Sequence, residues 1–142
     1  MTEKVLLVDD EEDFVEPLAE RMRARGMNVS TTTSPTDALA RAESESFDAI
    51  VLDLMMPEMD GLQTLEAIKK KNPDIQVILL TGHATVEKGI EAMKHGAMDF
   101  LEKPVDIKSL AERIHKAQAR KMVLVEKKNE EKIRNIILNK SW

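Results

Sequence analysis

Short apolar runs alternate with longer amphipathic stretches from the first residues of the chain to about residue 118. Val5-Leu6-Leu7-Val8, Ala49-Ile50-Val51-Leu52 and Val77-Ile78-Leu79-Leu80 are unbroken, the pattern of strands covered on both faces. The spacing predicts strands over Lys4–Val8, Asn28–Thr32, Asp48–Leu52, Ile75–Leu80 and Met98–Leu101. Between them it predicts helices over Asp13–Arg25, Pro35–Glu45, Leu62–Lys71 and Ala84–Lys94, and a last helix from Asp106 onward. The punctuation agrees. Gly26 suits a helix C-terminus, Ser34-Pro35 an N-cap followed by proline at the first helical position, Pro57 to Gly61 a turn, and His95-Gly96 a stop. Pro17 falls inside the first helix, where it removes a backbone donor and is expected to loosen or kink the first turns. Regular strand–helix alternation of this kind builds a parallel sheet with right-handed crossovers, an α/β fold.

In the last helix, Ile107, Leu110, Ile114 and Ala117 have the spacing of a buried face. The same steps lead on to Lys121, Leu124, Lys128 and Glu131, so the apolar seam fades, and a second cluster, Ile133, Ile136 and Ile137, follows. The expectation is a compact unit over 1–118 and a helical tail or linker over 119–142. This is not the sustained heptad pattern of a coiled coil. Pairing of the tail with a second copy or a partner, and a frayed linker, both remain open.

Composition narrows the function classes. The 142 residues are 42% apolar and 33% charged, without cysteine, which removes thiol catalysis and disulfides and fits a reducing compartment. The first residues are too few and too polar for a signal peptide, and no apolar run approaches membrane-span length. The net charge of −5 divides unevenly, with an acidic body and a basic stretch after residue 105. An acidic body argues against direct binding of nucleic acid.

Five side chains converge. Asp9 and Asp10 follow the first apolar run, Asp53 the third, Thr81 the fourth, and Lys103 the fifth. In open parallel sheets, ligands bind outside the carboxyl ends of the strands. Three carboxylates on one edge repel one another until a hard divalent cation such as Mg²⁺ relieves them. The run Asp9 to Asp13 equally suits a plain helix N-terminus, and Thr81 taken alone suits a helix cap. Lys103, after an apolar strand and before Pro104, is poorly placed for a merely solvated amine. Its ammonium can pair with Asp53 at rest and with a phosphoryl oxygen afterwards. Lys103-Pro104 is a candidate cis bond in a tight turn. Glycine-rich phosphate loops, serine elbows and spaced histidine ligands are missing from the sequence.

Taken together, Leu7-Val8-Asp9-Asp10-Glu11, Asp53-Leu54-Met55-Met56-Pro57-Glu58-Met59-Asp60-Gly61, Leu80-Thr81-Gly82 and Asp99-Phe100-Leu101-Glu102-Lys103-Pro104 closely resemble the receiver domain of two-component response regulators. The stretch Ala92 to Leu101 looks most like receivers of the nitrogen-regulator type. The resemblance implies a flavodoxin-like (βα)5 fold, with strand order 2-1-3-4-5 and an extended C-terminal helix. It implies that Asp53 accepts a phosphoryl group from a sensor histidine kinase or phosphotransfer protein. Asp9, Asp10 and Asp53 would hold Mg²⁺, with Mn²⁺ as an alternative, and Thr81 and Lys103 would contact the phosphoryl oxygens. Phe100 would be the switch aromatic that follows Thr81. Met55 and His83 occupy positions that tune the phosphorylated lifetime in the family.

A phosphorylation-dependent signalling switch follows, rather than an enzyme acting on outside substrates. It would be cytoplasmic and would signal through the fourth helix, fifth strand and fifth helix. A homodimer would use that surface or the C-terminal helix. The competing reading is a constitutive interaction or dimerisation module of the same fold without phosphoryl traffic. The complete acidic set with Thr81 and Lys103 favours the switch.

Overall fold

The computed structural model describes residues 2–56, 60–82 and 85–139. Five strands, β1 (Lys4–Val8), β2 (Asn28–Thr32), β3 (Ala49–Asp53), β4 (Gln76–Thr81) and β5 (Asp99–Glu102), form one parallel sheet in the order 2-1-3-4-5. Helices α1 (Glu12–Ala24), α2 (Pro35–Ser44), α3 (Gly61–Lys71), α4 (Val86–Lys94) and α5 (Ile107–Asn139) alternate with them. The strand order places β1 and β3 side by side at the sheet centre, so Asp9 and Asp53 emerge from neighbouring strand ends.

Strand alternation divides the core into two layers. Leu6, Val8, Ile50, Leu52, Val77 and Leu79 face the side covered by α2, α3 and α4. Val5, Leu7, Ala49, Val51, Ile78 and Leu80 face α1 and α5, where Val15, Leu18, Met22, Leu110 and Ile114 meet them. The three central strands are therefore apolar at successive positions, because each face is buried.

Local signals act largely as read. The Ser34 hydroxyl accepts from Asp37 N–H at 3.2 Å with Pro35 at the first turn of α2. Gly26, with φ of 91°, ends α1 in the left-handed region. Pro17 does not break α1, which runs unbroken through it. Proline lies on the exposed face, opposite Val15, Leu18, Ala19 and Met22, so the lost backbone bond falls where water can replace it. β3, β4 and β5 each begin and end one residue later than the spacing predicts; at their far ends Asp53 pairs with Leu80 and Thr81 with Glu102, which extends the ladder beyond the apolar residues. α4 begins at Val86 rather than Ala84, fixed by the Thr85 hydroxyl, which accepts from Lys88 N–H at 3.1 Å.

α5 continues without interruption past residue 118. The seam that loses its apolar character there keeps its contacts and changes their chemistry. Lys121 Nζ donates to Ser46 Oγ at 2.8 Å and to the Phe47 carbonyl at 2.7 Å. One heptad later Lys128 Nζ pairs with Asp74 Oδ2 at 2.7 Å, and Leu124 between them is partly buried. The lysines thus fasten the helix across the loops at the amino ends of β3 and β4. Ile133, Ile136 and Ile137 are exposed beyond these contacts. Among the described residues, no helix is long and apolar enough to cross a membrane.

Candidate functional site

The site lies where β1, β3, β4 and β5 end. Asp9 follows β1 and is 1% exposed, and its Oδ1 accepts from Glu11 N–H at 3.0 Å. Asp10 is exposed. Asp53 is the last residue of β3 and is 3% exposed. One carboxylate oxygen from each of Asp9, Asp10 and Asp53 lies within 4.8 Å of the others. Glu11, the residue before α1, makes no side-chain cap bond, so N-capping alone does not account for the acidic run.

Lys103 closes the site from the β5 side. Its Nζ donates to Asp9 Oδ2 at 2.7 Å and lies 3.6 Å from Asp53 Oδ1. At rest its stronger partner is therefore Asp9, whereas the sequence suggested Asp53. The backbone also fixes it: Lys103 N–H donates to the Thr81 carbonyl at 2.7 Å, and Lys103-Pro104 is cis. Thr81 is fully buried as the last residue of β4, and Thr85 rather than Thr81 caps the helix that follows.

Electrostatics follow from this crowding. Burial, then the neighbouring Asp9 charge, push the Asp53 carboxyl up from 3.8 to about 6; Lys103 and the Met55 N–H, which donates to Asp53 Oδ1 at 3.3 Å, oppose the rise, and Asp10 adds to it. Burial works against the Lys103 charge, but the hydrogen bond it donates to Asp9 and the fields of Asp53, Asp9 and Glu11 outweigh it and raise its pKa. The cluster is short of positive charge around Asp53.

The loop after β3 is held by Gly61. Its N–H donates to the Leu54 carbonyl at 3.0 Å, and a Cβ there would lie 2.5 Å from Leu54 Cα and O, a space only glycine can occupy. Asp60 pairs with Met55 in an isolated bridge and caps α3, its Oδ1 accepting from Leu62 N–H at 3.1 Å. Met55 itself is 64% exposed, beside Asp10 at the rim of a cleft that Leu54, Met56 and Asp60 complete. His83 lies outside the described residues. Phe100 is half-buried in a groove of about 850 Å³ between α4 and β5, against Gly89, with Val86, Ile90 and Met93 exposed around it. One neighbour escaped the sequence reading: Phe14, whose ring lies under Lys103 Nζ at 4.2 Å. Its position four residues after Asp10, in the first turn of α1, is the available signal.

The geometry has a counterpart in known proteins. A family profile described as "Response regulator receiver domain" matches residues 5–115. The chain belongs to this family. It is 41% identical over 115 residues to the transcriptional regulatory protein ZraR of Salmonella typhimurium, a match covering 81% of this chain and 26% of that protein. It is 30% identical over 125 residues to the C4-dicarboxylate transport transcriptional regulatory protein DctD of Rhizobium meliloti, covering 88% of this chain and 27% of that one. The chain thus spans about a quarter of the length of these curated relatives. Among solved structures, a response regulator receiver domain protein from Clostridium thermocellum superposes with a TM-score of 0.80 at 35% identity, covering 86% of this chain and 98% of that one. The beryllofluoride-activated NtrC4 receiver domain, a dimer in solution, gives 0.78 at 35% identity, covering 83% and 98%. The flavodoxin-like receiver fold expected from the motifs is the fold observed.

Proposed function

We propose that this receiver is a phosphorylation-activated switch whose Asp53 accepts a phosphoryl group from a phosphohistidine of a sensor histidine kinase or phosphotransfer protein. The observation that carries the reading is the buried Asp53 carboxylate with Lys103 Nζ 3.6 Å away and two further carboxylates within 4.8 Å. An Asp53 oxygen attacks phosphorus in line as the bond to the histidine nitrogen breaks and the imidazole leaves. Such transfers depend on positioning and charge neutralisation more than on covalent help.

The three converging oxygens fit a hard divalent cation, Mg²⁺ with Mn²⁺ as an alternative, held by Asp9, Asp10 and Asp53. Bound there, the ion supplies positive charge for the phosphoryl oxygens. The raised Asp53 pKa, set by burial first and by the Asp9 charge second, reflects a cost of ionisation that such a charge would offset. Lys103 gives its ammonium to one phosphoryl oxygen, and Thr81 its hydroxyl to another. Phe100, on the adjacent strand and paired with Leu79, two residues before Thr81, turns inward as Thr81 moves and reshapes the α4–β5–α5 face as a two-state element. The apolar groove at Phe100 supports this face as the output surface, for a partner or for a second copy of the chain. The C-terminal part of α5 is the alternative dimer contact.

On this reading residues 1–118 are the switching unit and 119–142 its link to an output, helical through Asn139. The protein works in the cytoplasm, catalyses only its own phosphorylation and dephosphorylation, and leaves DNA contacts to other segments or partners. Intact mass after incubation with acetyl phosphate tests it, with and without Mg²⁺. One added phosphoryl group in the wild type, dependent on Mg²⁺ and missing in Asp53→Asn, is expected. No gain in the wild type would favour the constitutive module.

A further inference from the structure

Lys103 is held from three sides, and the third holder carries no charge. Besides Asp9 and Asp53, the ammonium sits 4.2 Å above the centroid of the Phe14 ring. Phe14 comes from the first turns of α1 and is half-buried against the layer formed by α1, α5 and the sheet. The Lys103 side chain is 16% exposed, so the ammonium has given up most of its water. A ring face attracts a cation through its quadrupole, and more strongly where water is excluded.

The two charged holders are the groups that the reaction would claim. Asp9 Oδ1 is engaged by the Glu11 N–H, so a cation drawn to the acidic cluster competes with Lys103 for Oδ2. Asp53 turns to phosphorus. The ring is the one holder unchanged by either event. A carboxylate in its place would repel the incoming phosphoryl oxygens, and an aliphatic side chain would strip water from the ammonium without giving attraction in return.

We propose that Phe14 is a positioning residue for phosphoryl transfer: its ring keeps the Lys103 ammonium at the site mouth as Asp9 and Asp53 release it, ready to meet a phosphoryl oxygen. The proposal rests on the assignment of Asp53 as phosphoacceptor.

Two variants separate the ring face from apolar bulk: Phe14→Leu keeps the packing, and Phe14→Tyr keeps the ring. With acetyl phosphate and saturating Mg²⁺, Phe14→Leu is expected to slow phosphorylation of Asp53 about 5-fold, equivalent to about 1 kcal/mol. Phe14→Tyr should stay within about twofold of wild type, on the same constant. A second readout needs no phosphoryl chemistry. The ε-methylene proton resonances of Lys103 should lie upfield in the wild type, with and without Mg²⁺, and return to ordinary lysine positions in Phe14→Leu. Unmoved Lys103 resonances, a Phe14→Leu protein as fast as wild type, or a Phe14→Tyr protein as slow as Phe14→Leu would each overturn the positioning role alone. A wild type that takes up no phosphoryl group would overturn the phosphoacceptor assignment and this role with it.

Discussion

Replacing Asp53 with asparagine should make the protein more stable at neutral pH, although it removes a buried hydrogen-bonding charge. The folded carboxyl holds its proton up to about pH 6, whereas an ordinary aspartate releases it near 3.8. Between these values the folded state binds more protons than the unfolded state, so stability falls as pH rises through the window. The full rise is worth about 3 kcal/mol at 1.36 kcal/mol for each tenfold change in proton affinity. The site opens to solvent on the Asp10 side, and screening there reduces the usable figure to roughly 1–2 kcal/mol. Asparagine keeps the acceptor for the Met55 N–H at the Asp53 Oδ1 position and removes the repulsion from Asp9 and Asp10. For a chain of this size the gain corresponds to a melting temperature about 3–8 °C higher. Thermal melts of wild type and Asp53→Asn in metal-free buffer from pH 4 to 8 test the reasoning. The gap should be absent near pH 4, open through pH 6 and be complete by pH 7.5. Equal stability at pH 7.5, or a gap of constant size across the series, would show that Asp53 is not the strained charge.

Three further outcomes follow from other parts of the structure. Gly61→Ala should cost about 1–3 kcal/mol in urea denaturation, because its Cβ meets the Leu54 backbone; a change within about 0.5 kcal/mol would mean that the loop yields freely. Met55→Asn should shorten the phosphorylated lifetime severalfold by exchanging an apolar rim for one that can position water; decay at the wild-type rate or slower refutes the shielding. Replacing Lys121 and Lys128 together by methionine should speed amide exchange across 119–132 by up to about tenfold while leaving the sheet unchanged, since the two contacts at the amino edge are worth of order 1 kcal/mol together; unchanged exchange there would make those contacts incidental.

Much of this architecture was legible because the strong signals are local. Unbroken apolar runs such as Val77 to Leu80 report burial on both faces, and Ser34-Pro35 and Gly26 mark helix ends by their own backbone chemistry. The converging carboxylates were legible for a topological reason, since parallel strands deliver their carboxyl ends to one edge. What escaped depends on partners far apart in sequence. Thr81 joins β4 because Glu102 pairs with it, and the apolar pattern does not carry that pairing. Lys121 and Lys128 read as a fading seam because their carbonyl, hydroxyl and carboxylate partners lie on loops more than fifty residues away. Lys103 prefers Asp9 to Asp53 by less than an ångström of geometry, and Phe14 enters the site only through the direction of the first turns of α1.

The central claim is that one carboxylate, Asp53, becomes an acyl phosphate. Borohydride reduction of the acetyl phosphate-treated protein, followed by peptide mass mapping, addresses it directly, because an acyl phosphate is reduced to the alcohol and leaves homoserine at its position. Homoserine at position 53 alone, formed only when Mg²⁺ was present, is the expected result. Homoserine at Asp9, Asp10 or another carboxylate, or none in a protein shown to bind Mg²⁺, would contradict the account.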